Sequence, residues 1–165
     1  MTLTTHAVTG AAFAVLVPTH PVGAFALGFA SHFLLDAIPH WDYPLASVEE
    51  DKENVLNNDI KLNRDFLHDL VKIGADAVLG LALALLAFAF FLHIPFLAVL
   101  CGAIGAMTPD ALQFVYMKWR HEPLITLQRF HMWIQSGKNL QNKPVLGMLS
   151  QVALIVLVVF IFNLL

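Results

Sequence analysis

GADAVLGLALALLAFAFFLH, residues Gly74 to His93, decides how the chain must be read. These 20 residues contain a single acidic side chain, Asp76, and no lysine or arginine. Coiled into a helix at about 1.5 Å per residue, they reach roughly 30 Å, the thickness of a bilayer's hydrocarbon core. Working outward, the helix starts near Asn63 or Arg64 and ends at His93, and a further apolar run extends from Pro95 to about Trp119. Two shorter runs precede them, from about Thr4 to Val17 before Pro18 and from Pro21 to Ala37 before Pro39. A last run covers Val145 to Leu165. Between the fourth and the last lies PLITLQRFHMWIQ, where Leu124, Leu127, Met132 and Trp133 mix with Arg129 and His131, the pattern of a helix lying in the membrane interface.

Composition agrees. Over 165 residues 58% are hydrophobic and 13% charged, and mean hydropathy is +0.72, more apolar side chain than one soluble core can hide. A soluble globule, a disordered chain, a coiled coil and a disulfide scaffold are excluded. Cys101 is the only cysteine and sits in an apolar run as a small packing residue. A net charge of −3 with nine basic residues leaves no footprint for nucleic acid. The expected architecture is all-α: one integral membrane domain over residues 1–165, a polytopic bundle of about five transmembrane helices plus a short interfacial helix at about 123–134. Residues 41–62, with Glu49, Glu50, Asp51 and Glu53 close together, read as a solvated cytoplasmic loop with at most one helical turn. No signal peptide is evident, because no basic residue precedes the first apolar run.

Orientation follows from the connections. Those at Thr19 to Pro21 and at His93–Ile94 are short and the others are long and polar. Lys52, Lys61, Arg64, Lys72, Lys118, Arg120, Arg129, Lys138 and Lys143 then all fall on one face, which the positive-inside rule makes cytoplasmic, with the N-terminus there too. In a bacterium this is the inner membrane.

Depth is the strongest inference. Counted from the far-side turns, His6 lies roughly 20 Å back along the first helix and Asp76 roughly 25 Å along the third. His32 and Asp36 lie roughly 18 and 24 Å along the second helix, and Asp110 roughly 22 Å along the fourth. All five share one layer at the cytoplasmic end of the hydrocarbon, where an unpaired carboxylate costs several kcal/mol. His32 and Asp36 are i, i+4 on one face, with His40 and Asp42 just beyond Pro39. Three or four nitrogen and oxygen ligands from different helices suit Zn²⁺, or Mn²⁺ and Mg²⁺ where carboxylates dominate. The candidate metal ligands are therefore His6, His32, Asp36, His40, Asp76 and Asp110, with Asp69 or His68 as general base or water-orienting group. Plainer readings stand beside these: an interhelical hydrogen bond for His32 and Asp36, a helix distorted at Pro109 for Asp110, and solvated interface positions for His68 and Asp69. His20 and His93 read as turn residues, and His121 and His131 as interfacial packing. Gly102 and Gly105 read as small residues that let helices approach closely.

The run SHFLLDAIPHWDY, Ser31 to Tyr43, together with His6 in TTHAVTGAA and the Pro109–Asp110 pair, resembles the bacterial family of small inner-membrane proteins described as membrane-bound metal-dependent hydrolases. More loosely, His32-Phe-Leu-x-Asp36 followed by Pro39 and His40 looks like the zinc-binding run of zinc-dependent phospholipases C. The resemblance implies hydrolysis of a phosphoester on a membrane lipid, with Lys72, Arg64 or Lys118 holding phosphate oxygens. A transporter is disfavoured because the far halves of the helices are almost wholly apolar. A non-catalytic bundle fastened by its His/Asp layer is the remaining alternative. The small size of the bundle also makes a homodimer an expectation.

Overall fold

The computed structural model describes residues 1–135 and 140–164; Lys138, counted above among the cytoplasmic basic residues, and Leu165 lie outside them. Thr2 opens the first helix, α1 (Leu3–Ala12), by accepting the Thr5 N–H on its side chain. A 3₁₀ turn, Phe13–Leu16, continues it. Helix α2 (Pro21–Asp36) begins on a proline, whose missing N–H costs nothing at a first turn, and stops short of Pro39. Asn63 caps α3 (Arg64–Ala84) through a bond from the Phe66 N–H. That helix runs on as π-helical turns over Leu85–Phe91. His93, with φ 56, then reverses the chain in the left-handed region. Helices α4 (Phe96–Lys118), α5 (Leu124–Ile134) and α6 (Pro144–Phe162) complete the bundle.

Three of these helices are long and apolar enough to cross a membrane: α3 with its π-helical extension, α4 and α6. The expected count of five thus divides into three full-length helices and the shorter pair α1 and α2. Even α2, with 16 residues, reaches only ~24 Å against ~30 Å of hydrocarbon. Helix α1 sits innermost, every residue from Leu3 to Ala12 buried, so other helices rather than lipid surround it. Its Ala7, Val8, Ala11 and Ala12 form the core with Ala84, Phe88, Val99 and Ala103. The outer faces of α3 and α6 expose Val71, Val78, Phe90, Val152, Val156 and Phe160, as helices facing lipid do.

Small residues set the spacing. A Cβ on Gly28 would strike the Gly102 carbonyl, and one on Gly105 would strike the Phe25 carbonyl. Backbones of α2 and α4 therefore touch, and a Cβ on Gly102 would strike the Gly10 carbonyl of α1, so Gly102 and Gly105 both take the close-approach role expected of them.

The 41–62 segment is not the plain solvated linker expected. It folds into a ribbon, β1 (Val48–Glu49) antiparallel to β2 (Asp59–Ile60), around a 3₁₀ turn at Val55–Asn57. Tyr116 at the end of α4 donates to the Leu56 carbonyl at 2.9 Å. Arg120 donates to the carbonyls of Asn57 and Asn58 at 3.1 and 2.9 Å. A two-residue strand carries no readable alternation, so the ribbon is invisible in sequence.

Candidate metal centre

Four side chains from three helices converge at the end of α2. His32 and Asp36 lie one turn apart, with Nε2 3.1 Å from Asp36 Oδ2. Helix α5 delivers His131, whose Nε2 is 2.8 Å from the same oxygen and 3.2 Å from His32 Nε2. Asp110 follows Pro109 on α4, its Oδ1 3.6 Å from His32 Nε2 and 4.0 Å from His131 Nε2. One ligand atom from each of the four lies within 4.8 Å of all the others, and the group could hold a metal ion. At metal–ligand distances of 2.0–2.2 Å the edges of a tetrahedron measure roughly 3.3–3.6 Å, close to the separations seen.

Hydrogen bonding fixes what these atoms can do. His32 Nδ1 is 2.8 Å from the Ala106 carbonyl, which only accepts, so Nδ1 carries the proton and donates. In its neutral form His32 would then point the Nε2 lone pair at two carboxylates and a second imidazole. A backbone carbonyl locking an imidazole this way is how proteins aim a ligand nitrogen at a metal. Asp36 and Asp110 bring two negative charges, His32 and Asp36 are fully buried, and His131 is 4% exposed. Phe33 walls the group, its ring 5.6 Å from His131 and 4.9 Å from Phe130. Only Asp110, 27% exposed, opens outward.

The other oxygen of Asp36 faces a second set of groups. His6, stacked on His32 at 4.0 Å, places Nε2 3.3 Å from Oδ1. His40 Nε2 lies 3.8 Å away. The amino group of Met1 is 3.4 Å from this oxygen and 2.6 Å from Asp42 Oδ1. Burial works against the Met1 ammonium, but Asp36 and Asp42 hold its pKa above the ordinary value. Burial likewise pushes the Asp42 carboxyl up, and the His40 hydrogen bond with the Met1 charge overcomes it, holding it at about 2.

Of the ligands expected from sequence, the structure gathers His32, Asp36 and Asp110 into the cluster, with His6 and His40 against its Asp36 side. Asp76 is used differently. It accepts the N–H groups of Leu3 and Thr4 at 2.7 and 3.2 Å and the Thr4 hydroxyl at 2.6 Å, closing the start of α1. Asp69 accepts Ser47 N–H and Oγ–H, both at 2.8 Å, and pairs with Lys72 at 3.3 Å, while His68 is exposed on α3. Lys72 also donates to the Pro44 carbonyl, and Lys118 pairs with Asp59 at 2.8 Å. His131, assigned to interfacial packing from sequence, belongs to the cluster. Its signal was the buried face Leu124, Gln128, His131 at i, i+4, i+7.

No family model, curated protein or solved structure matches the chain.

Proposed function

We propose that the protein is a membrane-embedded, metal-dependent hydrolase of a lipid phosphoester, working at the cytoplasmic interface of the inner membrane with an ion held by His32, Asp36, Asp110 and His131. The observation that carries this reading is a buried convergence of two imidazoles and two carboxylates, exposed only at Asp110. A divalent ion bound there would polarise a phosphoryl oxygen and lower the pKa of a bound water toward ~7. Two imidazoles with two carboxylates favour zinc, with manganese as the harder substitute. Ala106 holds the His32 ring, His131 lies 2.8 Å from the Asp36 oxygen that would share the ion, and Asp110, the partly exposed member, lies where water and substrate would enter. Apolar outer helix faces leave the substrate's tails in lipid. In this reading α1 and α2 are short spans completing a five-span bundle, with Lys61, Arg64, Lys72 and Arg120 on the cytoplasmic side.

The test is turnover of phospholipid and prenyl-phosphate substrates in mixed micelles. Chelation should abolish it, added zinc or manganese should restore it, and His32→Ala and His131→Ala should lack it. Failure to bind metal after reloading contradicts the reading. One observation favours the structural alternative for part of the polar layer. The Gln151 side chain on α6 accepts the Thr2 N–H and the Thr5 hydroxyl at 2.9 and 3.1 Å, and it donates to the Trp41 carbonyl. These bonds, like those of Asp76, fasten helices together.

A further inference from the structure

The unused half of Asp36 has the construction of a second site. His40 repeats the arrangement of His32: its Nδ1 donates to the Ile38 carbonyl at 2.7 Å, which aims Nε2 at Asp42 Oδ2, 3.1 Å away, and toward Asp36 Oδ1. His6 is wholly buried, and among the described residues neither ring nitrogen makes a hydrogen bond, Nε2 only facing Asp36 Oδ1 at 3.3 Å. A buried imidazole nitrogen without a hydrogen bond is costly unless something binds it. The Met1 ammonium already brings positive charge between Asp36 and Asp42.

We propose that Asp36 is a bridging carboxylate serving two divalent cations, the second on Oδ1 with His6, His40 and Asp42 as its further ligands. This rests on the metal-centre reading above and sharpens it. Paired ions about 3.5–4 Å apart stabilise both the attacking and the leaving oxygen of a phosphoryl displacement. Three carboxylates, Asp36, Asp42 and Asp110, against two divalent ions leave the centre net positive, complementary to a phosphoester anion.

The experiment uses full-length protein in detergent, tagged at its C-terminus so that Met1 is untouched, stripped with chelator and reloaded with Mn²⁺. The proposal expects about two ions per chain and a spin-coupled manganese spectrum. In His40→Ala and Asp42→Asn the content should fall to about one, with the spectrum of an isolated ion. Asp42 is a partly exposed loop residue, so its variant keeps a folded protein even where His40→Ala does not. One ion in wild type and in both variants would overturn the second site, leave the first intact, and mark the Met1 ammonium as what neutralises this half. No ion at all would overturn both.

Discussion

His32 on α2 donates its Nδ1 proton to the Ala106 carbonyl of α4 at 2.8 Å, with Asp110 one turn beyond that carbonyl on the same helix. One bond across the α2–α4 contact thus orients an imidazole and sets its distance to a carboxylate. Metal binding by such a group displaces protons. Ion retention in chelator competition should therefore fall on acidification, as protons compete with the ion for the two imidazoles. His131→Ala should weaken retention at neutral pH by at least 10–100-fold, the loss typical even of an orienting partner. Retention that is flat from pH 8 to 5 would speak against imidazole ligation.

The α2–α4 contact depends on glycine. Gly28→Ala places its Cβ on the Gly102 carbonyl, which as backbone cannot rotate away, and should destabilise by about 1–3 kcal/mol. Gly74→Ala, where nothing lies within 4 Å on α3, should be neutral or stabilising by up to about 1 kcal/mol. Thermal unfolding in detergent compares the two, and an equal effect would remove close packing as the cause.

Asp76→Ala should strip the cap from α1 and lower stability by roughly 0.5–2 kcal/mol, while the folded fraction keeps its full metal content. Loss of metal from well-folded Asp76→Ala protein would return Asp76 to the ligand set.

Asp69→Ala leaves the Ser47 N–H without its partner, a cost of about 1–3 kcal/mol. We expect faster proteolytic cutting between residues 44 and 62 with turnover within a few-fold of wild type. Turnover lost with the ribbon still protected would give Asp69 a role in the chemistry.

The helix limits were legible because Pro21, Pro39, Pro95 and the 74–93 run punctuate an apolar sequence strongly. So was the polar layer, since counting residues from the turns put His6, His32, Asp36 and Asp110 at one depth. Two things were not. Depth alone does not say what a carboxylate faces, and Asp76, level with the others, meets the open end of α1. Helix α5 carries its polar Gln128 and His131 inward and Phe130 and Trp133 outward, the reverse of a soluble helix, so the expected interfacial pattern concealed a member of the cluster.

Asp36 meets both imidazoles of the centre on one oxygen and faces His6 with the other, so its removal tests the central claim most directly. Divalent-metal content is measured on stripped and reloaded wild type and Asp36→Ala, each shown to be folded by gel filtration. The account predicts metal bound by the wild type and none by Asp36→Ala. Wild type that binds none, or Asp36→Ala that binds as much as wild type, would contradict it.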